Sequence, residues 1–191
     1  IVMFVVALSS STLTMRVKKQ SFENAKQVYR TQVLLEMSQM LQKANDMNAI
    51  YVSMLKQLHK LLDTDLILYP HNDEPILLGQ CPIETNIVAW VYENKQEAGK
   101  TTSYHGDSMC LYLPINGTHE VLGVVGIVLK DKIDSFEKNL WIAILDECGM
   151  ALEKEMIRLE NLKIEQQAKQ EALRADLLRM ISHDLRTPLT S

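Results

Sequence analysis

Apolar residues recur at helical spacing along the first third of the chain. Val28, Leu34, Leu35, Met37 and Leu41 make one stripe; Ile50, Met54, Leu55, Leu58, Leu61 and Leu62 make a second. Spacings of three and four place such positions on one helical face, so two helices are predicted, meeting near residues 45–48. Asp46 stands where its carboxylate can accept from the free amides that open the second. The period then changes. Leu66, Ile67, Leu68 and Tyr69 form one short β-like run and Ile76, Leu77 and Leu78 another, with Pro-His-Asn-Asp-Glu-Pro between them, which predicts a hairpin. Ile83, Ile87, Trp90 and Val91 share a helical face, and Gly99 is read as the end of a helix crossing the sheet. Runs 110–115 and 120–130 flank Asn116-Gly117, the strongest short-range hairpin signal in the chain, because both residues tolerate positive φ. Helix returns at Ser135 and continues. Trp141, Leu145, Cys148, Leu152, Met156 and Leu159 form a seam suited to a partner helix as well as to the sheet, so dimerisation through it is expected.

Glycine and proline punctuate this pattern unevenly. None precedes Pro70, most fall between Pro70 and Gly126, and only Gly149 and Pro188 come later. The chain therefore divides into entering helices, an α+β module, and a long outgoing helix. Residues 163–171 are mostly polar, keeping only Ile164 and Ala168, and read as a solvated linker or weakly packed coil before a second apolar stripe starts at Leu173. The expected fold is an antiparallel sheet with a crossing helix, held between long helices at both ends.

The opening Ile-Val-Met-Phe-Val-Val-Ala-Leu, with the weakly polar residues that follow it, is membrane-like. Fourteen helical residues reach only about 21 Å against a hydrocarbon core of about 30 Å, so residues 1–15 are read as the exit half of a spanning helix. Arg16, Lys18 and Lys19 follow, and basic residues flanking a span mark its cytoplasmic side. A signal peptide would carry its basic flank before the apolar stretch, the reverse of this order. Everything from Arg16 onward is then expected to face the cytoplasm of a longer membrane protein.

Composition narrows the function. The chain has 191 residues, 47% hydrophobic and 23% charged, enough for one core with extensions and too small for two full catalytic domains. Its 20 basic and 24 acidic residues give a net charge of −4, which supplies no broad field for a nucleic-acid backbone. Cys81, Cys110 and Cys148 lack CxxC spacing and are odd in number, which indicates neither a disulfide framework nor a zinc site and fits a reducing compartment. His59, His71, His105 and His119 have no spacing suited to a metal. Asn116-Gly117-Thr118 matches a glycosylation acceptor, but a cytoplasmic segment would not meet the modifying enzyme.

The most specific chemistry lies in the closing string Ser182-His183-Asp184-Leu185-Arg186-Thr187-Pro188-Leu189. Leu178, Ile181 and Leu185 define a face expected to be buried, and His183 sits roughly 200° around from Ile181, so its ring is expected in solvent. A neutral imidazole near its reference pKa of about 6.5 is a competent nucleophile. Asp184 can take or orient the ring proton. Thr187, one turn on, brings a hydroxyl to the same place, and Pro188 removes a helical hydrogen bond beside it.

This string resembles the phosphoacceptor box of sensor histidine kinases. The resemblance implies that His183 accepts the γ-phosphoryl group of ATP and passes it to an aspartate of a response regulator, with Asp184 as acid/base helper. It also implies that Thr187 positions water when the kinase acts as a phosphatase on its regulator. Ala89-Trp90-Val91-Tyr92-Glu93-Asn94, Ala98-Gly99-Lys100-Thr101 and Leu111-Tyr112-Leu113-Pro114-Ile115 are similar to the GAF-type module of the Kdp potassium-sensor kinases, though Thr102-Ser103-Tyr104 departs from that pattern. The implied organisation is a transmembrane exit at 1–15, a juxtamembrane helix at 16–45, a GAF-like domain at 46–134, an outgoing signalling helix at 135–172 and the start of the dimerisation and phosphoacceptor domain at 173–191. The implied partners are a second copy, a response regulator and, through an upstream helix, the bacterial cell membrane. ATP and Mg²⁺ would belong to a catalytic domain outside this stretch, and control of potassium uptake is the implied output. Cys110 is followed by Leu111 and not by His, which sets aside a bilin attachment. The competing readings are a non-enzymatic GAF-type dimerisation module and a phosphotransfer relay charged by a partner.

Overall fold

The computed structural model describes residues 2–44, 46–71, 73–130 and 133–186. Side chains are described from Met15 to Ser182, Arg16 and the gaps between those ranges excepted. Two helices enter, α1 (Val2–Lys43) and α2 (Met47–Leu62). Asp46 caps α2 as its sequence position predicts, accepting from the Ala49 amide at 2.7 Å. The α2 face is the predicted one, with Ile50, Tyr51, Met54, Leu55 and Leu58 buried. On α1 the buried positions are Val33 and Met37, while Val28 and Leu35 stand 67% and 57% exposed. Met37, Leu34 and Leu41 of the stripe read from the sequence pack on the core, and Val28 and Leu35 do not. No helix among the described residues is long and apolar enough to cross a membrane.

Strands β1 (Leu66–Pro70) and β2 (Ile76–Leu78) form the predicted antiparallel hairpin. Helix α3 (Thr85–Asn94) follows, then β3 (Ala98–Gly99), β4 (Cys110–Asn116), β5 (Val121–Val128) and the single long helix α4 (Ser135–Arg186). The five strands lie in the order β2-β1-β5-β4-β3 with antiparallel pairing throughout. Two sequence expectations are corrected. Helix α3 begins after Ile83, which is 59% exposed, and stops at Lys95, whose φ of 56° is left-handed. Gly99 is instead a strand residue, required because its φ is 90° and a Cβ there would strike the Cys110 carbonyl oxygen. The β4–β5 connection forms where Asn116-Gly117 predicts it, but neither residue has positive φ. A four-residue loop, 117–120, closes on the Gly117 amide donating to the Glu120 carbonyl at 2.8 Å.

The sheet is covered on both sides, which is why β5 is buried along nearly all its length. Alternation of side chains sends Leu66, Leu68, Leu111, Leu113, Ile115, Val125 and Ile127 to one face, against α1, α2 and α4. Ile67, Tyr69, Cys110, Tyr112 and Val124 go to the other, against Ile87, Val88 and Val91 of α3. Trp141, Ile144, Leu145, Cys148 and Leu152 fix the first part of α4 in the larger core. Gly149 allows this: a Cβ at that position would sit 2.1 Å from the Asn116 carbonyl oxygen. Thr118 adds a clamp, donating from its amide and hydroxyl to Glu153 at 3.1 and 2.7 Å.

Candidate functional site

Helix α4 carries the sequence-predicted phosphoacceptor residues away from the domain. Past Leu152 it leaves the sheet; Met156 and Leu159 are 37% and 38% exposed, so only the first part of the expected seam is spent on this domain. His183 and Asp184 lie in the last turn of α4, where the backbone is described and the side chains are not. Thr187 and Pro188 lie outside the described residues. Leu178 and Ile181, expected on a buried face, are 58% and 54% exposed, since among the described residues nothing packs against them. The structure thus extends one unbroken helix from the core to the backbone of His183.

A second constellation lies on the α3 side of the sheet. Glu84, the residue preceding α3, accepts at Oε2 from the Ser108 hydroxyl at 2.5 Å and from the Tyr112 hydroxyl at 2.9 Å. Ser108 Oγ in turn accepts from the Cys110 amide at 3.1 Å. This network ties the start of α3 to the start of β4. Beside it, the buried sulfurs of Cys81 and Cys110 are 3.1 Å apart. Their shared hydrogen bond pushes the Cys81 thiol up and, by donating to Cys110, draws the Cys110 thiol down. Burial raises Tyr69 to about 12, and its hydroxyl is buried without a hydrogen-bond partner among the described residues. Tyr112 is also raised, first by burial and then by its bond to Glu84. Aromatic and aliphatic side chains fill this face. The clefts among the described residues lie instead on the α1/α4 side, one of 420 Å³ being lined by Lys26, Thr64, Leu129, Asp134 and Trp141. No cluster of three or more potential metal ligands occurs among the described residues.

The sequence did not reveal the Glu84–Ser108–Tyr112 network or the Cys81–Cys110 contact. The partners are 24 to 29 positions apart, and only the pairing of β4 with β5 and the return of the α3 segment bring them together. Thr118, weighed as part of a modification sequence, is a structural clamp on α4.

An antiparallel five-stranded sheet with α3 on one face and three helices on the other defines a GAF-like α+β module. No family model matches the chain. Sensor protein KdpD from Clostridium acetobutylicum is 27% identical over 207 aligned positions that take in 98% of this chain. The chain spans 23% of that relative's length. The native GAF domain of potassium sensor histidine kinase KdpD from Escherichia coli superposes with a TM-score of 0.62 at 17% identity, over 69% of this chain and 99% of that domain. The GAF domain from Acinetobacter phosphoenolpyruvate-protein phosphotransferase gives 0.51 at 10% identity, over 68% and 95%. The structural likenesses carry the fold, and the sequence likeness, which takes in nearly all of this chain, is to a sensor protein KdpD.

Proposed function

We propose that the chain is the sensory and phosphoacceptor-start portion of a membrane sensor histidine kinase that controls potassium uptake. The supporting observation is α4 itself, whose first part is built into the GAF core and whose last turn carries His183 and Asp184. In this reading an imidazole nitrogen of His183 attacks the γ-phosphorus of ATP, releasing ADP. Asp184 takes or orients the ring proton. The phosphoryl group then passes to an aspartate of a response regulator, and Thr187 positions water when the kinase acts as a phosphatase on that regulator, releasing inorganic phosphate. ATP and Mg²⁺ are held by a separate catalytic domain. The exposed Leu173, Leu177, Met180 and Ile181 are spaced by three and four and supply the seam for a second copy. An upstream helix anchors the assembly in the cell membrane, with this region in the cytoplasm.

The test uses the full-length protein in membranes, incubated with labelled ATP. A His183→Gln variant is expected to form no acid-labile phosphate while the parent does. Acid-labile phosphate persisting in the variant would overturn the assignment.

A further inference from the structure

Cys81 and Cys110 sit on different elements, 29 positions apart, with their sulfurs 3.1 Å from one another. A disulfide is about 2.05 Å long, so roughly 1 Å of approach separates the two states. The two ends are held unequally. Cys110 pairs with Val128 in the sheet, its carbonyl accepts from the Lys100 amide at 2.8 Å, and its amide is bound to Ser108. Cys81 lies in the connection between β2 and α3, outside helix and strand, where the approach breaks no ladder hydrogen bond. We propose that Cys81 and Cys110 form a site of reversible oxidation, converted to a disulfide by a small hydroperoxide.

Size selects the oxidant class. Cys110 is fully buried and Cys81 is 8% exposed, so bulky disulfides are excluded and the oxidant proposed is the smallest peroxide. Cys110 is assigned the first step: with Cys81 donating the shared hydrogen bond, that bond and the nearby Lys100 ammonium favour the Cys110 anion against the opposing effects of burial and Glu84. The Cys110 thiolate attacks one peroxide oxygen; the O–O bond breaks, Cys110 becomes a sulfenic acid, and the departing hydroxide takes up the proton that Cys110 lost. The Tyr69 hydroxyl, in the same cluster and kept protonated by burial, takes no part in the step. The sulfur of Cys81 then displaces hydroxide from the sulfenic sulfur, its own proton completing a second water. Two thiols lose two electrons and two protons, and one peroxide becomes two waters. The new bond ties the segment entering α3 to β4, three residues before Glu84. Cys148 is an internal control: it is buried in the opposite core, where burial raises its thiol.

The reduced chain is exposed to graded hydrogen peroxide, denatured, alkylated and digested without reductant. One linked peptide pair, Cys81 with Cys110, is expected, two hydrogens lighter than its parts, with Cys148 fully alkylated and both thiols recovered after dithiothreitol. Closing a loop of this length is expected to raise the melting temperature by about 10 °C, reversibly. In Cys81→Ser the sulfenic acid on Cys110 is expected to persist and to react with dimedone once the oxidised chain is denatured. If that variant does not fold, the linkage map of the parent protein decides alone. Alkylation of Cys81 and Cys110 to the same extent as Cys148, linkage between copies, or conversion straight to sulfinic acid would each overturn the proposal. No step involves His183, so such a failure leaves the kinase reading untouched.

Discussion

Glu84 shows how much of the α3 side depends on one carboxylate. It accepts from two hydroxyls that approach from β4 and from the segment before it. Removing it leaves the hydroxyl of the buried Tyr112 unpaired, and an unpaired buried polar group costs about 1–3 kcal/mol, while the half-buried Ser108 can turn to water. Glu84→Ala is therefore expected to lower the unfolding free energy by about 2 kcal/mol in urea titration, whereas Glu160→Ala, on an exposed part of α4, should change it by less than about 0.5 kcal/mol. The buried tyrosines give a second test. Tyr51, which donates to the Leu122 carbonyl at 3.0 Å, and Tyr69 are each raised by burial from 10.0 to about 12. Below pH 10 both are protonated in either state. Between pH 10 and about 12 the unfolded chain releases protons that the folded chain keeps, so stability is lost as pH rises through that window. Melting temperatures measured from pH 8 to pH 12 are expected to fall most steeply there, and Tyr51→Phe should flatten the slope. None of these roles was visible in sequence. A lone glutamate before a helix and an alternating tyrosine carry no mark of their partners until the strands pair.

Elements were more legible than contacts. The change from a helical to a two-residue period near Leu66, the Asp46 cap and the two hairpins were all readable because local spacing and turn chemistry set them. Errors arose where tertiary packing decides. Asn116-Gly117 favours a tight turn with positive φ, yet the docking of Asn116 and Thr118 on α4 draws out a longer loop. Val28 and Leu35 were read into the core stripe of α1, but the inward face runs through Val33 and Met37 with Leu34 and Leu41 beside them. The Gly149 crossing is the element-scale joint between sensor and stalk. Gly149→Ala places a methyl against the Asn116 carbonyl, and overpacking of this kind costs about 1–3 kcal/mol. Thermal melting of the variant is expected to show that loss, with Met150→Ala, at a 58% exposed neighbour, close to the parent.

At the scale of the whole molecule, the α+β module was readable from the sequence, and α4 physically connects it to the segment that holds the proposed phosphoacceptor string. Its polar stretch at 163–171 remains helical with its side chains exposed. In the proposed reading, a helix that packs on the sheet at one end and carries the reacting His183 at the other converts a small rotation in the core into a rotation of that residue. The central claim is that the angular position of His183 relative to the GAF core sets its reactivity. It is tested most directly by inserting residues into 163–171 of the full-length kinase and measuring the initial rate of His183 phosphorylation. Two inserted residues turn the following helix by about 200°, and seven return it to within about 20° of its original phase. The two-residue insertion is expected to change the rate several-fold and the seven-residue insertion to restore it. Equal rates in all three proteins, or a seven-residue insertion as altered as the two-residue one, would contradict the account.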